Sequence, residues 1–527
     1  MMDAAWMWHG IAITVSVCFV VSALLVLRAQ RKYHESTDRA SLFVGPVTVF
    51  PIGNRYLLLQ GGVLRAFQSL IEYATARGRD VCGCFLLLDS STRQEVVLYK
   101  ASAIREALLL AAPERITPPW CQPVATLINY PMARLSRPPL NEYASAVGLH
   151  HQQQQETEPE QQQLQQQQKQ QKKNNKRKVR TPPFSSMCDC IERSLIRSMR
   201  TASDGPYRNV HHVLCDALTQ ALLVDQIVLE DGKNEKDLGS ASMARLQGVV
   251  HTLVLSFFAL TAQQSQTPWM TYVIPRMTCL MPRFIRLGLA LFALRRALTK
   301  ANPTLASTIP ELLPMAWSIA MPVSSTLSFA LHLLANYSDV QAKVLREARE
   351  HGAELRGVFK GKEWDEATDA HVRRALPLTR AVIMEAMRLF PAEPLLIMKS
   401  ERDINLGDQW IPANTHVWIP MWCVQRAEKN WSEAHEFRPE RFLSAGGVLV
   451  GNERSLAGKW MPFSIGVRSC PGAHRALTLC TLLLTHLISV LEFSAGPSGH
   501  ALQIELAHVW LTSRHGFDLS VTRRRPD

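Results

Sequence analysis

The pattern of apolar and polar residues divides the chain into an apolar amino-terminal segment and a long remainder in which short repeating patterns alternate. Residues 4–27 are apolar over about the 20 residues with which a helix spans a bilayer. Asp3 precedes this segment and the basic stretch RAQRK follows it at residues 28–32. Because cationic residues stay on the cytosolic side, the pattern predicts a transmembrane anchor with the body of the protein in the cytosol.

Beyond the anchor, helical periodicity dominates and short alternating stretches are few. Helices are predicted at residues 63–78, 101–112 and 303–350, and most of residues 184–301 follow the same period. Short strands are predicted on either side of the polar turn DSSTRQ within residues 82–100, and again within residues 400–421. The predicted fold class is therefore mainly α with small marginal β-sheets.

One stretch interrupts this pattern, the Gln- and Lys-rich segment at about residues 150–178. It contains almost no apolar side chains, so burial cannot offset the conformational entropy lost on folding. The segment is therefore predicted to be a disordered insertion. Seven Lys and Arg residues fall within residues 169–180, with no aromatic residue among them. We therefore predict that this basic stretch is a solvated loop and that nucleic acid is not a partner of the protein.

Composition is consistent with one large domain behind the anchor. Of 527 residues, 47% are hydrophobic and 20% charged, as in globular proteins. We therefore divide the chain into an anchor with a basic linker at residues 1–35 and one large domain at residues 36–527. The eleven cysteines include no CxxC pair, which indicates a reducing compartment and disfavours a zinc site.

The stretch FSIGVRSCPG, residues 463–472, combines residue types that suit the binding of a flat, iron-containing ligand. A thiolate at Cys470 is a soft ligand for iron, and the helical pattern that follows would direct its positive end toward the sulfur. Gly466 and Gly472 permit a tight turn and a close approach of the backbone. Phe463 would cover one side of the ligand, and Arg468 offers donors to a carboxylate.

The motif Phe-x-x-Gly-x-Arg-x-Cys-x-Gly resembles, at every specified position, the cysteine-ligand loop of the cytochrome P450 superfamily of haem-thiolate monooxygenases. The resemblance implies haem b as cofactor, with Cys470 as the axial ligand of its iron and Arg468 on a haem propionate. An axial thiolate favours cleavage of the O–O bond.

Two further stretches resemble the family. EAMRLFP places Glu385 and Arg388 at i and i+3 of a predicted helix, and HEFRPERF, which includes Arg441, follows about fifty residues later. In the family these three residues form a buried triad that supports the cysteine loop. The order of all these segments implies the cytochrome P450 fold, with haem between the long central helix and the helix after Cys470.

The central helix departs from the family. In WSIAMPVSSTLSFALHLLA, residues 317–335, the family's acid and threonine fall on Met321 and Pro322, and neither side chain relays a proton. Ser325 and Thr326 lie nearby on the helix. They are candidates for holding a water or a proton, with ordinary hydrogen bonds to helix carbonyls as the alternative.

The residues expected to bind the haem propionates also differ from the family's pattern. The family's Trp-x-x-x-Arg helix has no tryptophan here, and counting back from TPPFSS places Arg177 at its arginine. The arginine that the family has ahead of Asp403 is Met398, which leaves Lys399 as a candidate substitute.

The resemblance implies a membrane-anchored monooxygenase that takes electrons from NADPH through cytochrome P450 reductase or another donor. It would insert one oxygen atom of O2 into a lipophilic substrate such as a sterol or fatty acid. The expected location is the endoplasmic reticulum membrane, with a mitochondrial membrane as the alternative. Two other functions stay open: a haem-thiolate isomerase or dehydratase that acts on a peroxide, and a haem sensor or carrier without turnover.

Overall fold

The structure is a computed structural model, and it describes the carboxy-terminal half of the chain almost continuously and the amino-terminal half in pieces. The described residues are 62–79, 81–84, 95–110, 114–115, 210–231, 248–256, 285–294, 296–297, 309–358, 366–400, 403–406, 409–450, 456, 458–466, 469–496, 502–507, 509–517 and 519–524. The predicted anchor at residues 4–27 and the predicted insertion at about residues 150–178 lie outside these ranges.

Helices form most of the described chain. They are α1 (Gly62–Thr75), α2 (Ala101–Leu110), α3 (Val210–Asp231), α4 (Ile309–Asn336), α5 (Ser338–Val358), α6 (Glu366–Ala375), α7 (Pro377–Leu389), α8 (Met421–Val424) and α9 (Ala473–Val490). Residues 248–256 and Ile285–Leu294 are also helical.

The strands are short. They are β1 (Val81–Cys84), β2 (Glu95–Leu98), β3 (Glu114–Arg115), β4 (Leu396–Lys399), β5 (Ile404–Leu406), β6 (Gln409–Ile411), β7 (His416–Ile419), β8 (Leu491–Ala495), β9 (Ile504–Ala507), β10 (Trp510–Ser513) and β11 (Leu519–Arg523). The prediction of a mainly α fold with small sheets is confirmed, and strands are present before and after the stretch DSSTRQ, as predicted.

Helix α4 is the centre of the larger hydrophobic core. It packs against α3, α7 and α9. Its residues are apolar on nearly every side, and Leu327, Phe329 and Leu331 are completely buried. Among the described helices, α4 and α9 are long and apolar enough to cross a membrane, but 78% and 72% of their most apolar windows are buried inside the protein. Helices that are hydrophobic all round and enclosed in this way are core helices.

A second core lies around a five-stranded mixed sheet of order β1-β2-β7-β4-β3. Strands β2 and β7 are parallel, with Val96 opposite Val417, and the other neighbours are antiparallel. Helices α1 and α2 contribute apolar side chains to this core. The described residues also form three two-stranded sheets, β5-β6, β8-β11 and β9-β10.

Helix α7 is fixed at its amino end by a carboxylate from another helix. Glu347 of α5 accepts the backbone N–H groups of Leu378 at 2.9 Å and Thr379 at 2.7 Å, two donors that no helix carbonyl can satisfy. The following residue, Arg380, pairs with Asp369 of α6 at 2.8 Å, and the Thr478 hydroxyl of α9 donates to the same carboxylate. These contacts hold α7 in a defined position against α9.

A buried histidine makes the stability of this packing depend on pH. His211 of α3 lies within hydrogen-bonding distance of the Thr512 hydroxyl, 2.9 Å away. Burial lowers its pKa to about 3, with the neighbouring His212 adding to the effect. The folded state therefore binds this proton less readily than the unfolded chain, in which histidine has a pKa of about 6.5. Its stability contribution is complete above that value and is lost as the pH falls.

We expect the free energy of unfolding to fall by about 2 kcal/mol between pH 7 and pH 5 through His211 alone. His211→Gln should remove this part of the pH dependence in urea titrations at the two pH values. His515→Gln, at an exposed histidine, is the control and should keep it. An unchanged pH dependence in His211→Gln would contradict the assignment.

Candidate active site

The segment around Cys470 is a tight loop closed by its own backbone. The Cys470 N–H donates to the carbonyl of Phe463 at 2.8 Å, and the Ser469 N–H donates to the carbonyl of Gly466 at 3.0 Å. The Ala473 N–H in turn donates to the Cys470 carbonyl at 3.3 Å. Both peptide groups of Cys470 are thus held, and its side chain is exposed at the surface of the loop.

Glycine is required at one of the two predicted positions. Gly466 has φ of +80°, a conformation that favours glycine, and it turns the chain back toward Cys470. Gly472 has φ of −91°, which other residues adopt, and an added Cβ would meet the Cys470 Sγ at 3.9 Å, an ordinary contact. Proline suits the first position of a helix, so Pro471 would predict a start there, but helix α9 begins two residues later at Ala473.

The loop lies between the two hydrophobic cores. Phe463 packs against the helical core, with its ring 6.4 Å from that of Trp460. Ile465, two residues further on, packs against the core of the mixed sheet. The loop is therefore anchored on both sides, with Cys470 where α9 begins.

The chemistry of the thiols singles out Cys470. Burial raises the pKa of the other five thiols in the described part of the chain, so they stay protonated near neutral pH; they are Cys82, Cys84, Cys215, Cys423 and Cys480. Cys470 alone among these six is exposed, and it precedes the positive end of α9. An accessible thiol beside a helix amino end fits the donor that the iron of a haem-thiolate site needs.

The structure brings Glu385, Arg388 and Arg441 together. Arg388 donates through Nε and Nη2 to the two oxygens of Glu385, at 2.7 and 2.9 Å. Arg441 Nε donates to Oε1 of the same carboxylate at 2.9 Å. The side chains of Glu385 and Arg388 are fully buried, and that of Arg441 is 10% exposed. One buried carboxylate therefore faces two guanidinium groups, which disperses its charge over several donors.

The remaining donors of the two arginines fix the backbone that leads to the loop. Arg388 Nη1 donates to the carbonyls of Gln425 at 2.9 Å and Ala434 at 2.7 Å. The side chain of Gln425 then accepts the Met461 N–H at 2.7 Å, and the Met461 carbonyl accepts the Ser464 N–H at 2.9 Å. A continuous series of hydrogen bonds thus connects the triad to the Cys470 loop.

Sequence reasoning did not identify Gln425 or the two indoles that pack beside the triad. Trp431 lies under both guanidinium groups, with its ring centroid 5.4 Å from Arg388 Cζ and 5.8 Å from Arg441 Cζ. The Trp460 indole N–H donates to the Met384 carbonyl on α7 at 3.0 Å. The sequence could have indicated Trp460 only through its position, three residues before Phe463 of the cysteine loop.

Of the two positions in α4 that depart from the family's pattern, Met321 is buried and Pro322 is half-buried. Met321 is buried, with its sulfur 3.2 Å from the Cys215 sulfur of α3. Pro322 lies in the following position and has no N–H to give to the helix. The Ser325 hydroxyl donates to the Leu511 carbonyl of β10 at 2.7 Å, and Thr326 is buried. The Ser325 hydroxyl hydrogen therefore already has an acceptor.

Of the three residues expected near the haem propionates, the structure describes Lys399 alone. Lys399 ends β4, opposite His416 of β7 and Glu114 of β3, and is half-buried. Arg468 and Arg177 lie outside the described residues. Their predicted roles stay predictions.

Replacing Glu385 by Gln keeps its shape but leaves two guanidinium groups without their counter-charge. We expect Glu385→Gln to lower the free energy of unfolding by about 3–5 kcal/mol, because the remaining charges are desolvated and uncompensated. Urea denaturation of the purified variant measures this loss. Glu440→Gln, at an exposed carboxylate on the 3₁₀ turn Pro439–Phe442, should change stability little; equal effects of the two changes would contradict the account.

Comparison with known proteins supports the resemblance of the cysteine loop and the triad to the cytochrome P450 family. Residues 321–519, which include α7, Arg441 and the Cys470 loop, match the family described as Cytochrome P450. Three similar relatives are plant enzymes. An (S)-N-methylcanadine 1-hydroxylase of Papaver somniferum is 34% identical over 173 residues, which are 33% of this chain and 30% of that protein.

A geissoschizine oxidase of a Strychnos species is 37% identical over 158 residues, 30% of this chain and 29% of that protein. A tabersonine/lochnericine 19-hydroxylase of Catharanthus roseus is 37% identical over 150 residues, 28% of this chain and 27% of that protein. The chain thus spans less than a third of the length of each of these relatives. The similarity to the cytochrome P450 family therefore lies in residues 321–519, the part of the chain that contains the triad and the cysteine loop.

Proposed function

We propose that the protein is a haem-thiolate monooxygenase that inserts one oxygen atom of O2 into a lipophilic small molecule. The observation that carries this proposal is the loop that presents the exposed Cys470 thiol before the amino end of α9, supported by the buried triad. Electrons would come from NADPH through cytochrome P450 reductase or a similar donor.

The residues of this chain would bind and shield the haem. Cys470 would be the axial ligand, Phe463 would cover one side of the group, and Arg468 would bind a propionate. The haem supplies the activation of oxygen, and its thiolate ligand favours cleavage of the O–O bond. The triad has a structural part, because it fixes the backbone that leads to the loop. Arg177 and Lys399 are proposed as further propionate partners.

The substrate is proposed only as a lipophilic organic molecule. The names of the three relatives refer to (S)-N-methylcanadine, geissoschizine and tabersonine or lochnericine, and none refers to a sterol or a fatty acid. The narrower choice made from the sequence therefore gains no support from them. We propose that the protein is anchored in the endoplasmic reticulum membrane with its catalytic domain in the cytosol. A mitochondrial membrane is the alternative location. An apolar substrate agrees with either membrane.

The helix α4 favours a second candidate, a haem-thiolate isomerase or dehydratase that acts on a peroxide. Reduction of O2 to the peroxide level consumes two electrons and two protons, whereas an organic hydroperoxide brings its O–O bond with it. Met321 packs on Cys215, and the Ser324 and Ser328 hydroxyls donate to the helix carbonyls of Met321 and Ser324. Dependence of turnover on NADPH and a reductase separates the two candidates, and product formation of either kind excludes a mere sensor or carrier.

Cys470→Ala should remove the sulfur ligand, and the ferric protein should lose the wild-type Soret band. The absorption spectrum of the haem-loaded variant measures this. Cys480→Ala, at a buried thiol on α9, is the matched control and should keep the wild-type spectrum. A wild-type Soret band in Cys470→Ala would show that another residue is the ligand.

Pro322→Thr tests whether the missing hydroxyl limits oxygen activation. If protons are limiting, the restored hydroxyl should raise the amount of product formed per NADPH consumed, because less reduced oxygen is then released unused. Parallel measurement of NADPH oxidation and product gives this ratio. Val323→Thr, one position further along α4, is the control for a hydroxyl that points elsewhere. A ratio that is unchanged or lower in Pro322→Thr would count against a missing proton relay and for the peroxide chemistry.

A further inference from the structure

Gln425 is a buried residue whose amide joins two segments of the site. It follows α8 and is completely buried. Its Nε2 donates to the carbonyls of Met387 at 3.0 Å and Arg388 at 3.3 Å, and its Oε1 accepts the Met461 N–H at 2.7 Å. The first two contacts lie in the last turn of α7, and the third lies at the entrance of the cysteine loop. One side chain therefore connects the helix of the triad to the loop.

Both ends of this connection satisfy backbone groups that need a partner. The last carbonyls of a helix have no donor within the helix, and the Gln425 amide supplies one to Met387 and Arg388. Met461 is 1% exposed, so its N–H is cut off from water and needs a protein acceptor. Because neither contact can be exchanged for water, Gln425 holds the two segments at a fixed separation.

The turn that begins at Met461 is strained. The Ser464 N–H donates to the Met461 carbonyl at 2.9 Å, which closes a turn over residues 461–464. Ser464 has φ of +61°, a region that residues other than glycine rarely adopt. Its hydroxyl is buried and has no hydrogen-bond partner in the described part of the chain. A residue with these two costs keeps its conformation only where the surrounding contacts impose it.

The strained turn determines where Cys470 lies. The carbonyl of Phe463, which belongs to the turn, accepts the Cys470 N–H at 2.8 Å. Any shift of residues 461–464 is therefore passed to the backbone that carries the thiol. The surroundings of an axial thiolate tune the iron to which it is bound, so the position of this backbone has a chemical consequence.

We propose that Gln425 is a positioning residue for the axial thiolate. It holds the strained turn closed at Met461, and through the turn it fixes the sulfur of Cys470 relative to the iron of a bound haem. The inference rests on the proposed function, because it requires Cys470 to be the ligand. It gives Gln425 a part in the iron–sulfur bond in addition to its contribution to stability.

Gln425→Met tests the proposal, because it removes all three side-chain hydrogen bonds at similar volume. The iron–sulfur stretching band in the resonance Raman spectrum of the haem-loaded ferric protein should broaden, since the sulfur then takes several positions. The red-shifted Soret band of the carbon monoxide complex should also decay several-fold faster than in the wild type. Urea denaturation of the same samples measures the loss of stability in parallel.

Gln341→Met is the matched control. Gln341 of α5 is also buried, its Nε2 donates to the carbonyls of Leu334 and Phe493, and its Oε1 accepts the Phe493 N–H. These contacts connect α5 with α4 and β8 and do not involve the cysteine loop. Gln341→Met should lower the urea midpoint as well but keep the wild-type Raman band. A wild-type band in Gln425→Met, or equal broadening in both variants, would overturn the proposal.

A double variant examines the part assigned to the strained turn. Glycine adopts a positive φ without strain, so Gln425→Met/Ser464→Gly should show a narrower iron–sulfur band than Gln425→Met alone. A band that is as broad in the double variant would overturn the assignment of strain to Ser464.

Amide hydrogen exchange of the haem-loaded wild type gives an answer that does not depend on the folding of any variant. The amides of Met461 and Cys470 should be protected to the same degree, because the turn cannot open at one end alone. Rapid exchange at Met461 beside a protected Cys470 amide would contradict the proposal. Wild-type protein without a red-shifted Soret band would instead refute the proposed function, so the two failures are distinguishable.

Discussion

The architecture around the site depends on one buried carboxylate. Glu385 accepts hydrogen bonds from Arg388 and Arg441, and also from the Arg438 backbone N–H at 3.0 Å. A buried charge is tolerated only where partners surround it, and here the partners come from α7 and from the segment that follows α8. Their remaining donors are used on backbone carbonyls. The carboxylate therefore fixes not only two side chains but also the path of the chain toward residue 461, and through Gln425 the start of the Cys470 loop.

The sequence was informative where chemistry demands a fixed spacing. The cysteine loop and the Glu385–Arg388 pair were identified because each depends on residues close together in the chain. Gln425 and Trp431 were missed because their roles depend on contacts between distant segments, and neither residue type stands out locally. The short strands were located by polar turns, but the parallel pairing of β2 with β7 connects residues more than three hundred positions apart. No local pattern specifies such a pairing.

The boundary of α9 shows how local preference gives way to the loop. Proline suits the first position of a helix, which predicts a start at Pro471. The structure begins the helix at Ala473, because the Cys470 carbonyl is already used by the Ala473 N–H and the Cys470 N–H is held by Phe463. The packing of α4 shows which role Met321 has at the position of the family's acid. The Met321 sulfur contacts the Cys215 sulfur of α3, so this position contributes to the hydrophobic core and the helix is kept.

The most direct test of the account is the absorption difference spectrum of the purified, dithionite-reduced wild-type protein with and without carbon monoxide. The account predicts a strongly red-shifted Soret band, because the Cys470 thiolate would donate electron density to the iron of the bound haem. Well-folded, haem-loaded protein that lacks this band would contradict the assignment of Cys470 as the ligand. The proposals that rest on oxygen activation would then fall with it.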